Sequence, residues 1–307
     1  MKDIIIKMGD ENYPESLLHL DTPPEQLYCR GNIELLSKPA VAIVGMRDCT
    51  RYGKETAKGF AKKFAERGLV IVSGLADGID ASAHTGAILA KREDDKTLNT
   101  IAVLGNGLDH YYPTSNANLQ KQIERDGLVI SEYPNDMHGN KFTFPYRNRL
   151  IAALARAVII VEADIKSGSL ITKDFALELG RDVFAVPGPV GSYASRGTNN
   201  LIKTAACACM TDVQDVLEVF GMTITTGKEN EIAQISFEAR MVLDTIGADE
   251  VHFDEIIAAT KFSSKKLVSL LTNMELDGLL KKLSGNYYAS NLKNVRCKTG
   301  KKQGDKT

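Results

Sequence analysis

Short apolar runs alternate with longer amphipathic stretches through the first two thirds of the chain. Each run is followed by a Gly- or Ser-rich turn and then by apolar residues at helical spacing, as at Ala57, Phe60, Ala61 and Phe64. Runs that are apolar at almost every position are typical of parallel strands covered on both faces. The predicted strands are Ala40–Gly45, Leu69–Ser73, Thr100–Leu104, Leu128–Ser131, Ala157–Glu162 and Val183–Pro187.

The stretches between these strands predict helices, so the order is strand, helix, strand throughout. This alternation predicts an α/β fold with a Rossmann-like, doubly wound parallel sheet. Such a sheet needs right-handed crossovers and binds its ligands beyond the carboxyl ends of the strands, so the functional residues are expected in the strand-to-helix turns. The predicted helices are Arg51–Arg67, Ile79–Arg92, Asn116–Asp126, Arg147–Ala155, Ser169–Leu179 and Thr198–Thr204.

The pattern changes after residue 220. A polar, Thr-rich segment without periodicity predicts a linker, and three short helix signals and a hairpin then follow in the order of a winged-helix domain. The helices are expected at Phe237–Ile246, Asp254–Thr260 and Ser263–Asp277, with N-caps at Asp254 and at Ser263 or Ser264, and the hairpin strands at Leu279–Leu283 and Tyr287–Ala289. The predicted organisation is a packing arm (1–37), a Rossmann-like domain (38–220), a linker (221–234), a winged-helix domain (235–290) and a basic tail (291–307).

Composition narrows the class of protein. The 307 residues are 43% hydrophobic and 25% charged, with neither a membrane-spanning run nor a secretory signal. The five cysteines are scattered, which argues against a disulfide framework and favours the reducing cytoplasm. Cys207 and Cys209 lack a second pair at zinc-site spacing, so we interpret them as small buried residues and expect no metal site. The net charge of −1 makes any interaction with nucleic acid depend on local geometry.

The turn Ser73–Asp80, with sequence SGLADGID, is the strongest candidate for a phosphate site. It follows a buried strand and opens a helix, so its amides and the helix dipole favour an anion. Gly74 and Gly78 would permit close backbone approach and Ser73 could donate a hydrogen bond, although the glycines could also serve only a tight turn. Weaker candidates are Arg47, which could instead form a structural salt bridge, and the turns Gly105–Gly107 and Ser167–Ser169.

Two common classes of nucleotide-binding protein are excluded by motif. The first turn lacks the G-x-G-x-x-G fingerprint, and no acidic residue follows the second strand to hold a ribose. No G-x-x-x-x-G-K-[ST] occurs in the chain. We therefore expect no nucleotide cofactor.

The segment from residue 141 to 149 combines cations with aromatic rings. It contains Lys141, Arg147 and Arg149 together with Phe142, Phe144 and Tyr146. Cations follow the phosphates of single-stranded nucleic acid and exposed rings stack on its bases, so the segment favours binding without sequence preference. For any single ring, packing onto the sheet is an equal alternative. We expect one arginine to reach the phosphate site and the other to pair with Glu132 or Glu162, because a buried unpaired arginine is too costly.

The chain resembles the DNA-processing protein A (DprA/Smf) family in the order and spacing of its motifs from about Tyr13 to Phe220. The matching motifs are VAIVGMR (41–47), RYG (51–53), VSGLADGIDASAH (72–84), AVLGNGLDHYYP (102–113), ISEYP (130–134), FPYRNRLIAAL (144–154), VEADIKSGSLIT (161–172) and RDVFAVPG (181–188). Relatives often carry Ser or Thr where this chain has Met46. That departure removes a hydroxyl contact to phosphate.

The resemblance implies a recombination mediator that is not an enzyme and has no catalytic residues. Such a protein protects incoming single-stranded DNA, forms a homodimer through the Rossmann-like domain and helps to load the RecA recombinase during natural transformation. The C-terminal module resembles the family's winged-helix domain, but Lys261, Lys265 and Lys266 supply little charge, so it could equally contact protein. The DNA pocket implied by the resemblance uses Gly45, Arg47, Tyr52, Ser73, Gly74, Lys141, Phe144, Arg147, Asn148, Arg149, Ser167 and Gly168.

Two other functions remain open on the residues. Asp80 and His84 lie four apart on one helical face and could act as an acid–base pair in a nucleotide or phosphoribosyl hydrolase. Alternatively, the two side chains hydrogen-bond each other and brace the turn before them. A third hypothesis is a ligand-sensing transcriptional regulator that uses its winged helix.

Overall fold

A computed structural model of the protein describes residues 3–90, 98–222, 237–247, 249–276 and 279–290. The chain divides into two compact units, Met1–Thr223 and Ile224–Thr307. None of the described helices is long and apolar enough to cross a membrane. The predicted basic tail, and all but the first two residues of the predicted linker, lie outside the described residues.

Within the described part of the first unit, nine strands form one mixed sheet in the order β1-β2-β6-β5-β4-β3-β7-β8-β9. The six strands predicted from the apolar runs are all present and lie parallel in the middle of the sheet. The mixed α/β fold is therefore confirmed. The strands are β1 Ile4–Lys7, β2 Gln26–Gly31, β3 Ala40–Val44, β4 Val70–Ser73, β5 Thr100–Leu104, β6 Leu128–Ser131, β7 Ala157–Ile160, β8 Asp182–Ala185 and β9 Ala208–Cys209.

Helices cover both faces of this sheet. One buried cluster joins alternate strand residues, such as Val72 and Val103, to Leu150 of α4 and Ala176 of α5. A second cluster on strand residues of opposite parity includes Ala102 and Ile123 of α3. The helices of this unit are α1 Arg51–Ala65, α2 Ile79–Leu89, α3 Ala117–Asp126, α4 Thr143–Leu154, α5 Ser169–Glu178, α6 Arg196–Lys203 and α7 Gln214–Leu217.

The strand order reverses beside β3. The chain runs from β3 through β4 and β5 to β6 on one side, and then crosses back so that β7 pairs with the other side of β3. In open α/β sheets this reversal leaves a crevice outside the carboxyl ends of the two central strands, because their connections leave toward opposite faces. The structure therefore directs attention to the segments that follow β3 and β7.

Two strands within the first 37 residues, β1 and β2, belong to the sheet, which the pattern did not predict. Strand β2 pairs antiparallel with β6, and β1 pairs antiparallel with β2. Leu27 and Cys29 of β2 are buried and alternate with more exposed residues. That alternation at every second residue is typical of a half-buried strand, and it is the feature of the sequence from which β2 could have been predicted. The interpretation of Cys209 as buried is wrong, because it lies exposed on the edge strand β9.

Helix α4 begins one turn earlier than predicted, at Thr143 instead of Arg147. The side-chain oxygen of Asn140 accepts hydrogen bonds from the amides of Phe142 (2.8 Å) and Thr143 (3.2 Å), which satisfies donors at the start of the helix. Pro145 is compatible with this start, because proline is tolerated in a first turn, where its missing N–H has no partner. Phe144 is therefore fixed on a helix.

The second unit has the element order predicted for a winged helix. Val242, Ile256 and Leu267, one from each helix, share a small core with Tyr288 of the hairpin. A short strand after the first helix, which the pattern did not predict, pairs with the last strand. The predicted cap at Asp254 is wrong, because the His252 side chain accepts from the Asp254 amide. The elements are α8 Phe237–Ile246, β10 Val251–His252, α9 Phe253–Thr260, α10 Ser264–Leu276, β11 Leu280–Lys282 and β12 Tyr287–Ser290.

Candidate nucleic-acid interface

A groove of about 850 Å³ opens at the reversal of strand order. One wall follows β3 and includes Arg47, the opposite wall follows β7 and includes Ser167, and the start of α4 closes one end. This is where a doubly wound sheet binds its ligand. Eight of the predicted site residues line the groove: Gly45, Arg47, Lys141, Phe144, Arg147, Asn148, Ser167 and Gly168.

Three exposed cations border the groove, namely Arg47, Lys141 and Lys166. Among the residues that the structure describes, none of the three takes part in an ion pair. The lining also contains the carboxylates Asp48, Asp80 and Asp164, of which Asp164 is held by Arg196 at 2.9 Å. The structural salt bridge considered for Arg47 is therefore not formed within the described part of the chain. Cations without carboxylate partners favour an anionic ligand, because such a ligand neutralises their charge.

Arg147 lies beneath these cations and is only 4% exposed. Its guanidinium donates to the carbonyl oxygens of Gly74 (2.8 Å) and Val103, and its Nε donates to Asn148 at 3.2 Å. Burial lowers the pKa of Arg147 to about 10, with Asp80 opposing that shift. The side chain thus stays charged at neutral pH and supports the floor of the groove.

The prediction that the Ser73–Asp80 turn presents free donors to a ligand is wrong. The Ser73 hydroxyl is buried and donates to the Ile43 carbonyl at 2.6 Å, and the Gly74 amide donates to the Asp80 carboxylate at 3.2 Å. The amide of Ile79, the first residue of α2, donates to the Met46 carbonyl at 3.2 Å. The anion held at this turn is therefore the protein's own Asp80. Burial raises the pKa of Asp80, and the charge of Arg147 opposes that rise.

Another helix N-terminus does face the groove. Ser167, Gly168 and Ser169 precede or begin α5, and all three line the groove together with Thr172. The two serine hydroxyls lie 2.8 Å apart and bond each other, and a Cβ added to Gly168 would meet no atom within 4 Å. The positive end of the α5 dipole therefore meets open space beside Lys166.

Two aromatic side chains, Tyr112 and Phe144, line the groove, and two more, Phe142 and Tyr146, lie next to Phe144 in the sequence but outside the lining. Phe144 is half-buried, and its ring stacks on that of Tyr112 with centroids 5.1 Å apart and planes at 29°. Tyr146 lies 4.0 Å from the Arg149 guanidinium and its hydroxyl bonds Thr22 at 2.7 Å. Phe142 is 70% exposed but lies outside the groove lining. The stacked pair is the aromatic surface within the groove.

The remaining four predicted residues do not reach the groove. Arg149 forms the expected ion pair with Glu132 at 2.5 Å, which confirms that pairing and makes Arg149 a buried anchor of α4. Tyr52 donates to the Pro187 carbonyl at 2.9 Å and borders a different depression. Ser73 is fully buried, and Gly74 lines only a small recess behind Phe144.

Sequence reasoning missed several groove residues, among them Tyr112, Asn140 and Lys166. Tyr112 follows β5 and Lys166 follows β7, so both occupy the strand-to-helix turns in which function was expected. In the turn after β5 the prediction rested on the glycines of Gly105–Gly107 and not on Tyr112. Those glycines serve packing: the Gly107 amide donates to the Met137 carbonyl at 2.8 Å, and a Cβ on Gly105 would lie 2.7 Å from Phe144.

The proposed acid–base pair of a hydrolase does not form. His84 is completely buried and its Nδ1 lies 2.7 Å from the Thr100 hydroxyl, not against Asp80 as the bracing alternative supposed. Burial is the main cause that lowers the pKa of His84 to about 3, so the ring is neutral at physiological pH. A neutral imidazole with no access to the groove cannot transfer protons to a bound nucleotide.

Comparison with known proteins gives concordant matches. Residues 4–221 match the family model described as DNA recombination-mediator protein A, and residues 228–286 match a DprA winged-helix domain. The chain is 45% identical to DNA processing protein DprA of Streptococcus pneumoniae over 69% of this chain and 72% of that protein. It is 34% identical to Protein Smf of Escherichia coli over 92% of this chain and 76% of that protein.

Two solved structures have the same fold. The crystal structure of S. pneumoniae DNA processing protein A aligns with a TM-score of 0.65 at 43% identity, covering 71% of this chain and 74% of the other. A Helicobacter pylori DNA processing protein A, described for its mode of single-stranded DNA binding, aligns with a TM-score of 0.64 at 34% identity, covering 71% of this chain and 95% of the other.

Proposed function

The chain belongs to the DNA recombination-mediator protein A family, and on that premise we propose that it binds single-stranded DNA in the groove at the strand reversal. The observation that carries the proposal is the meeting of three exposed, unpaired cations with a stacked aromatic pair on one groove in the described part of the chain. Phosphates need the cations and unpaired bases need the rings. A closely related fold in H. pylori that binds single-stranded DNA supports the assignment.

The predicted site residues divide into those that contact the DNA strand and those that support the groove. Arg47, Lys141 and Lys166 meet phosphates, and Ser167 and Gly168 offer the start of α5 to another phosphate. Arg147 and Asn148 set the floor. Gly45 lets the backbone after β3 pack against Ile79 and the Glu162 carbonyl, where an added Cβ would lie 2.6 Å and 2.9 Å away. Arg149, Ser73, Gly74 and Tyr52 act only indirectly, by holding the elements that carry these groups. Because backbone and ring contacts read no base edges, binding is expected to tolerate any sequence.

The wider role proposed for the protein follows from its family. It protects single-stranded DNA that enters the cell during natural transformation, acts in the cytoplasm as a homodimer, and helps to load RecA onto the bound strand. Size-exclusion chromatography with and without an oligonucleotide tests the dimer, and RecA-dependent ATP hydrolysis on a strand bound beforehand tests the loading. A monomer under both conditions would reject the homodimer. No acceleration of ATP hydrolysis would reject the role in RecA loading.

The central experiment measures binding of fluorescently labelled oligo(dT) and of a duplex of equal length. Preference for the single strand is expected, with affinity that falls as salt rises. Lys141→Glu should weaken binding of oligo(dT), because it places a negative charge against the phosphates. Lys62→Glu makes the same charge change on α1, away from the groove, and serves as the control. Equal effects of the two substitutions on the affinity for oligo(dT) would reject the groove as the DNA-binding site.

A further inference from the structure

The ring of Phe144, on which Tyr112 stacks, is enclosed by backbone. Phe144 is flanked by Gly105 and Gly139, where an added Cβ would lie 2.7 Å and 2.5 Å from its ring carbons. The Arg47 guanidinium lies 5.9 Å from the ring centroid, and Tyr112 stacks on the ring. Phe144 is therefore surrounded on several sides within its own protein and has limited surface left for a nucleobase.

Tyr112 presents the open surface of the pair. It is 50% exposed although it stacks on Phe144, and it lines both the groove and the recess behind Phe144. Its backbone is restrained, because the turn that follows is held to the β4–α2 turn. Ser115 donates to the Asp77 carboxylate at 2.6 Å, and the Asn116 side chain donates to the Leu75 carbonyl at 2.9 Å.

The other two exposed rings do not offer the same surface. Tyr146 is engaged by the Arg149 guanidinium on its ring and by Thr22 at its hydroxyl. Phe142 has a Lys141 ammonium 5.0 Å from its ring centroid and does not line the groove. Among the aromatic side chains that the structure describes around the groove, Tyr112 alone combines a place in the lining with a half-exposed ring.

We infer that Tyr112 is the platform on which a nucleobase of the bound strand stacks, with Phe144 behind it as a support. This inference rests on the proposed binding of single-stranded DNA and names the residue that meets the base. Stacking on an aromatic ring is sequence-tolerant because every base has a π-face, and it requires an unpaired base. Arg47, next to the same pair, then lies where the phosphate of the stacked nucleotide passes.

The test separates the base from the backbone. Affinity is measured for oligo(dT) and for an equally long strand of abasic tetrahydrofuran residues, which keeps the phosphates and lacks the bases. Tyr112→Leu removes the ring and should weaken binding of oligo(dT) by about 5- to 100-fold, while leaving the abasic strand within about twofold. Tyr112→Phe keeps the ring and should bind both strands like the wild type.

Phe142→Leu is the matched control, because it removes a more exposed ring outside the groove lining, and it should leave both affinities within about twofold. Equal weakening of both strands by Tyr112→Leu, or no weakening, would overturn the inference while the proposed function stands. Failure of the wild type to bind either strand would overturn the proposed function itself.

Tryptophan fluorescence provides an independent measurement. The chain contains no tryptophan, so Tyr112→Trp introduces a single indole at the proposed platform. Its fluorescence should be quenched when oligo(dT) binds and should change little with the abasic strand. Phe142→Trp should respond weakly to both strands. Quenching at residue 142 that equals quenching at residue 112 would contradict the assignment.

Discussion

Arg147 donates a hydrogen bond of 2.8 Å to the carbonyl oxygen of Gly74, joining helix α4 to the turn that follows β4. The same guanidinium also reaches the carbonyl of Val103 at the end of β5. One buried side chain therefore ties together the ends of two neighbouring strands and the helix that carries Phe144 and Asn148. The conformation of the groove floor depends on this cation.

Gly74→Ala should destabilise the first unit. A Cβ at residue 74 would overlap the Arg147 guanidinium, so either the arginine or the turn must move, at a cost of roughly 1–3 kcal/mol in the free energy of unfolding. Urea denaturation measures the change. Gly59→Ala is the control, because no atom lies within 4 Å of its added Cβ in the middle of α1, and it should be neutral or stabilising. Equal stability of the two variants would contradict the packing argument.

The buried ion pair between Arg149 and Glu132 should matter through stability and not through DNA contact. Both side chains are at least nine-tenths buried, and removal of one partner leaves an uncompensated buried charge. Arg149→Met should lower the free energy of unfolding by about 3–5 kcal/mol. Combining it with Glu132→Leu should recover much of that loss, since no charge is then left unpaired.

An exposed pair supplies the comparison for this measurement. Lys62 and Glu66 lie 3.7 Å apart on the surface of α1, and Lys62→Ala should change the free energy of unfolding by less than about 1 kcal/mol. A loss on Arg149→Met no larger than that on Lys62→Ala would show that the buried pair does not anchor α4. A fully folded Arg149→Met variant should keep the salt dependence of the wild type for oligo(dT), and a shallower salt slope would show a direct phosphate contact that the geometry does not contain.

The central strands and the fold class could be predicted because they depend on local patterns. Continuous apolar runs identified all six central strands, and the order of strand and helix identified the fold class. The N-terminal strands escaped because β1 is four residues long and only Ile6 of it is buried. Strand order could not be predicted either, since it is decided by the packing of helices on the two faces.

Site prediction failed where a motif's donors were used within the protein. The Ser73–Asp80 turn has the composition of an anion site, and its Gly74 amide does hold a carboxylate, but the carboxylate belongs to Asp80. Sequence cannot show whether an arginine points into a groove or beneath it, so Arg147 and Arg149 were predicted with Arg47 although only Arg47 is exposed. Tyr112 became visible only through its stacking on Phe144.

The burial of His84 should make stability fall on acidification. Its pKa is lowered from 6.5 to about 3 in the folded protein, mainly by burial, so the unfolded chain binds a proton at a higher pH than the folded one. The stabilising contribution is therefore present above pH 6.5 and is lost as pH falls toward 3, with a slope of up to ~1.4 kcal/mol per pH unit. Urea denaturation between neutral pH and pH about 5 measures it.

His84→Gln removes the titrating group and is compared with the wild type at each pH. The variant is expected to be less stable at neutral pH, because a buried, shape-matched side chain is replaced. Its stability should fall less steeply with acid than that of the wild type. Parallel curves would show that His84 titrates alike in the folded and unfolded chains, and would contradict its burial as a neutral ring.

Arg47→Ala should reduce both the affinity for oligo(dT) and the dependence of that affinity on salt. Arg47 is exposed, forms no ion pair among the described residues, and lies on the wall of the groove after β3. Each phosphate contact on a single strand contributes a slope of about 0.7 in a plot of log affinity against log salt concentration, because a bound cation releases a counterion. Loss of one contact should therefore make the slope shallower by about that amount. Arg67→Ala is the control. Arg67 carries the same charge, lies just beyond the end of α1 and donates to the Lys63 carbonyl, so its removal should leave the slope unchanged. An unchanged slope for Arg47→Ala together with weaker binding would mean that Arg47 shapes the groove without touching a phosphate.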